Sequence, residues 1–131
     1  MFPFLLTVCC IWLFGPPVPV VEGMASYYTR ESGTTTASGE AFDENALTCA
    51  MREGTFGGLY LVVTEDGRSV VCRLNDRGPH VRGRVIDLSK GAMERLGATE
   101  EGLVRVRVYR LQLDFPPRFM DTVSMKKNEE T

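Results

Sequence analysis

The sequence predicts a small, closed, mainly β barrel, and three observations lead there. Short apolar runs alternate with glycine-containing turns. Only one segment carries helix caps. No strand–helix–strand rhythm calls for an open parallel sheet. Closing a short sheet on itself removes its sticky edges. The 131 residues make room for one domain, 44% of them are apolar and 24% are charged, which is ordinary for a globular chain. A net charge of -2 with no basic stripe excludes nucleic acid as an expected partner.

Residues 1–21 read as a leader. Phe2 to Phe14 is almost wholly apolar and breaks at Gly15, Pro16, Pro17 and Pro19. A membrane-crossing helix needs about 20 apolar residues, and this run has the length of a secretory signal core instead. No Lys or Arg precedes it and no small-x-small site follows. The expectation is export to the periplasm, cell envelope or exterior, with membrane attachment through a retained leader as the variant. Cys9 and Cys10 lie inside the leader, but Val8 stands where lipid attachment favours a small residue.

The body spans residues 22–112. Glu22 to Tyr28 reads as a strand and Thr29 to Gly39, rich in Ser, Thr and Gly, as a loop. Leu47 to Met51 reads as a short buried strand or a turn. Leu59 to Thr64 and Val70 to Leu74 flank Glu65-Asp66-Gly67-Arg68, and an Asp-Gly turn between two such runs is a hairpin. Asn75 to Pro79 reads as a turn. Arg84 to Leu88 reads as a strand, and Ser89 caps a helix that runs to Leu96 and closes at Gly97. Val104, Val106 and Val108 alternate with Arg105, Arg107 and Arg110 in a last, half-buried strand. Residues 113–131 read as a disordered tail.

Cys49 and Cys72 are the cysteines of the body. In an exported domain they are candidates for one disulfide; the other reading is two buried thiols acting as small hydrophobes.

Three stretches carry candidate chemistry: Thr36-Ala37-Ser38-Gly39-Glu40-Ala41-Phe42-Asp43, Leu47-Thr48-Cys49-Ala50-Met51 and Asn75-Asp76-Arg77-Gly78-Pro79. With Gly23-Met24-Ala25-Ser26-Tyr27-Tyr28 and Gly83-Arg84-Val85-Ile86-Asp87-Leu88-Ser89 they resemble, in order and spacing, the rare lipoprotein A family. The resemblance runs from about Gly23 to Arg110 and implies a six-stranded double-psi β-barrel with one short helix. It also implies a lytic transglycosylase acting on peptidoglycan glycan strands, with a preference for strands that lack stem peptides. No His/Cys/carboxylate cluster has metal-ligand spacing, and Cys49 and Cys72 alone do not make a zinc site, so no metal or cofactor is expected.

Such an enzyme breaks the glycan without water. The muramic 6-hydroxyl attacks its own anomeric carbon, so one carboxyl can act first as acid and then as base. That carboxyl must keep its proton near neutrality. By resemblance Glu40 is the expected acid/base and Asp76 the second carboxylate. Tyr28, Ser38, Met51, Arg77 and Arg84 are the expected substrate contacts. Met51 stands where the family carries a histidine, which puts activity in question and keeps a non-catalytic, expansin-like glycan-binding module as the alternative. Ser26 and residues 34–38 have no histidine base beside them, so a serine hydrolase is rejected. A monomer is expected.

Overall fold

A computed structural model describes residues 17–111. The apolar run of the leader and the 113–131 tail lie outside the described residues. The strands are β1 (Val21–Tyr28), β2 (Thr48–Ala50), β3 (Leu59–Thr64), β4 (Ser69–Asp76), β5 (Arg84–Ser89) and β6 (Val104–Leu111); the helix α1 is Lys90–Leu96. The strands close in the order β1-β5-β2-β4-β3-β6. This is the six-stranded barrel with one short helix that the sequence predicts.

Alternation decides which side chains fill it. Val104, Val106 and Val108 on β6, Tyr60 and Val62 on β3, Cys72 and Leu74 on β4, and Ile86 and Leu88 on β5 all point inward and are buried. Arg105 and Arg107 face out and pair with Glu65 and Glu22. Between β3 and β4 the chain turns at Gly67, whose φ of 90° is left-handed, and the Thr64 amide donates to the Arg68 carbonyl. The Ser89 side chain accepts the Ala92 amide at the start of α1, and Gly97 ends the helix at φ 77°.

Two pairs are parallel, β1 with β5 and β2 with β4; the other neighbours are antiparallel. Each parallel pair slips once. Met24 faces Arg84 but Ala25 faces Ile86, leaving Val85 as the extra residue. Cys49 faces Leu74 but Ala50 faces Asp76, leaving Asn75 as the extra residue. Such bulges re-aim the side chains that follow. The second one corrects a sequence expectation: Asn75 and Asp76 end β4 instead of starting the turn, because Ala50 offers Asp76 a partner in the ladder.

The disulfide considered between Cys49 and Cys72 is not formed; both are free and buried. Cys49 lies opposite Leu74, and Cys72 is its diagonal neighbour on the adjacent strand. The contact between the two thiols, and then burial, push the Cys49 thiol well up, so it stays protonated.

Candidate active site

The ladder lines up one row of residues across four strands. Ser26 on β1 faces Asp87 on β5. Asp87 faces Ala50 on β2, and Ala50 faces Asp76 on β4. Ile86 and Leu88 beside Asp87 are buried in the core, so Asp87 lies on the outer face. Two steps of about 4.8 Å separate the Asp76 and Asp87 backbones. Both carboxyls are half-buried.

The loop between β1 and β2 packs over this face. Tyr28 stacks on Phe42 with ring centroids 4.6 Å apart. Thr35 and Ala41 form an isolated bridge within the loop. The Ala37 amide donates to Asp76 Oδ1 at 2.8 Å, and the Arg77 amide donates to the same oxygen at 2.9 Å. The Ser38 amide donates to the Asn75 carbonyl at 3.1 Å. At the far end Gly91 lies against Asn45: a Cβ there would sit 2.4 Å from the Asn45 carbonyl oxygen.

Glu40 meets the strand that carries Asp76 through Arg73, and its setting is an ion pair. Arg73 Nη1 and Nη2 donate to the two Glu40 carboxylate oxygens at 2.6 and 2.8 Å. That double hydrogen bond, foremost, holds the Glu40 carboxyl below its ordinary value. The group is exposed, and the pairing favours its charged form.

Asp87, which sequence reasoning passed over as a strand residue, has the opposite setting. Burial raises its pKa first and the Asp76 charge adds to the rise; a 2.9 Å hydrogen bond from Ser26 Oγ and the charge of Arg84 oppose it. Burial also pushes the Tyr28 phenol up, with the charges of Asp76 and Asp87 behind it, so it stays neutral. Its hydroxyl is buried without a hydrogen-bond partner among the described residues.

The other expected contacts are placed as follows. The Ser38 hydroxyl is engaged inside the loop with Thr36 Oγ1 at 2.8 Å and accepts the Glu40 amide. Arg77 is committed to the protein: Nη1 and Nη2 donate to the Met51 and Gly54 carbonyls, and its guanidinium lies 4.1 Å over the Phe56 ring. The Met51 side chain is buried in the core cluster, and its amide donates to the Asp76 carbonyl at 3.2 Å. Met51 thus supports Asp76 through backbone. Arg84 is half-buried near Asp87. A cavity of about 480 Å³ opens near Met51, Tyr60, Val85 and Arg110, and contains neither Glu40, Asp76 nor Asp87.

Barrel closure and two bulged parallel pairs define a double-psi β-barrel protein. The chain belongs to the lytic transglycolase family, whose model matches residues 20–108. It is 38% identical over 116 residues to the endolytic peptidoglycan transglycosylase RlpA of Pasteurella multocida, covering 83% of this chain and 40% of that one. It is 47% identical over 87 residues to the protein of the same name from Yersinia pestis, covering 64% of this chain and 24% of that one. The chain thus spans well under half the length of these relatives.

Among solved structures, the fold matches a Clavibacter michiganensis expansin in complex with cellohexaose at a TM-score of 0.56 and 20% identity, covering 73% of this chain and 52% of that one. It matches the Streptomyces papain inhibitor at 0.54 and 20% identity, covering 72% of this chain and all of that one.

Proposed function

We propose that the protein is an endolytic peptidoglycan lytic transglycosylase of the cell envelope, cutting stem-peptide-poor glycan strands to 1,6-anhydromuramic ends. The observation that carries the reading is Asp76, held on the outer face by the Ala37 and Arg77 amides, with Glu40 paired to Arg73 of the same strand. Both residues match the acidic positions of the family motifs. Relatives named as peptidoglycan transglycosylases support the substrate class.

The chemistry asked of this face is modest. As the glycosidic bond lengthens, positive charge gathers at the anomeric carbon, and a fixed carboxylate facing it lowers the barrier. Two amides on Asp76 Oδ1 fix its orientation, so little reorganisation accompanies the step. Glu40 and Arg73 together offer a polar edge to sugar hydroxyl and acetamido groups. The attacking hydroxyl belongs to the substrate itself, so no water has to be positioned on the far side.

Digestion of purified, stem-peptide-free peptidoglycan, with anhydromuramic products scored by mass spectrometry, tests this. Wild type is expected to give product, and Asp76→Asn to lose roughly 10²–10³-fold, the usual scale for one preorganised electrostatic group. No product from wild type rejects the enzyme. The alternative is a glycan-binding barrel that does not cut, favoured by Met51 in place of the family histidine. Retention on insoluble peptidoglycan without anhydro product identifies it.

A further inference from the structure

We propose that Asp87 is the proton carrier of this site, giving a proton to the glycosidic oxygen and taking one back from the attacking hydroxyl. The inference rests on the lytic transglycosylase reading and replaces Glu40 in the acid/base role.

Geometry is the first support. Asp87 shares a ladder row with Asp76, with Ala50 between them. The spacer is a small, buried side chain, and both carboxyls flanking it stay half-buried. Ser26 Oγ donates to Asp87 Oδ1 at 2.9 Å and fixes the side chain. The buried Tyr28 hydroxyl near both carboxyls has no partner among the described residues. Glu40, by contrast, has both oxygens taken by Arg73.

Electrostatics is the second support. The groups acting on Asp87 are Tyr28 and Ser26 from β1, Arg84 on its own strand and Asp76 from β4; β2 contributes the uncharged Ala50. The net result is a carboxyl that holds its proton above the ordinary range. A carboxyl that its surroundings raise can serve as the acid beside one that acts as stabiliser.

In the step, the Asp87 carboxyl hydrogen passes to the glycosidic oxygen. The bond from the anomeric carbon to that oxygen breaks, its electron pair stays on the oxygen, and a free hydroxyl leaves. The 6-hydroxyl oxygen then bonds to the same carbon. Its hydrogen goes to the Asp87 carboxylate, which restores the starting acid with no water consumed.

The test is the pH profile of kcat on peptidoglycan for wild type, Asp87→Asn, Glu40→Gln and Ser26→Ala, with melting curves to confirm folding. Wild type is expected to lose rate on the alkaline side as Asp87 ionises. Asp87→Asn is expected to lose about 10²–10⁴-fold in kcat and, in what remains, the alkaline fall; Glu40→Gln is expected to keep that fall. Ser26→Ala removes a bond that favours the carboxylate, so the fall moves to higher pH, which a purely structural serine would not produce. Product from Asp87→Asn at the wild-type rate, or loss of the alkaline fall in Glu40→Gln, overturns the proposal and leaves the enzyme standing. Absence of anhydro product from wild type overturns the transglycosylase reading, and the donor role with it. A ¹³C carboxyl titration then still reads whether Asp87 holds its proton unusually well and whether Asp76→Asn lowers its midpoint.

Discussion

Glu40 is exposed and clasped by Arg73, whereas Asp87 is half-buried and faces the charge of Asp76. The signs of their contributions to stability follow. Glu40 has a lowered pKa, so its pairing helps above the ordinary carboxylate range and is lost as pH falls through the lowered value. Asp87 has a raised pKa, so the folded state binds its proton more tightly than the unfolded chain does. Stability therefore declines as pH rises from the ordinary range through the raised value. Asn at this position cannot ionise. Asp87→Asn is expected to melt with wild type near pH 3 and a few degrees above it near pH 8, the trade expected where a site holds a poorly accommodated group; scanning calorimetry at the two pH values checks this. Neither setting was legible in the local sequence. Arg73 is 33 positions from Glu40 and Ser26 is 61 from Asp87, and only barrel closure brings them together.

Elements were far more legible. β3, β4 and β6 alternate cleanly because one face of each is core and the other meets solvent or a covering loop. The helix announced itself through Ser89 and Gly97 at its two ends. The bulges did not, since an extra residue in a ladder is a property of two strands and not of one. The tether between α1 and the covering loop was equally hidden. The Gly91 amide donates to the Glu44 carbonyl at 2.7 Å, and the Ser89 hydroxyl donates to the Ala46 carbonyl. Gly91→Ala would drive a methyl group into the Asn45 backbone. An overpacking loss of about 1–3 kcal/mol is expected, together with loosening of residues 43–46, read by denaturant melts and by faster amide exchange there.

For the molecule as a whole, the core depends on side chains that several strands share. Leu88 is fully buried and lies in register with Tyr27 on β1 and Cys49 on β2. Leu88→Ala is expected to cost about 2–5 kcal/mol, seen as a lower urea midpoint with an unchanged slope. The family motifs made the barrel and the positions of Glu40 and Asp76 readable before any coordinates. The distribution of protons among the carboxyls was not readable, because it depends on burial and on partners distant in the chain.

β2 is only three residues long, yet it alone stands between the strands of Asp76 and Asp87. The width between their backbones is therefore fixed in whole strand steps and cannot be adjusted gradually. Exchanging side chains can change which carboxyl is charged, but widening the gap would require threading another strand into a barrel that has no open seam. The reach of the pair is inherited with the topology, and variation among proteins built this way has to act on acidity and on the covering loop.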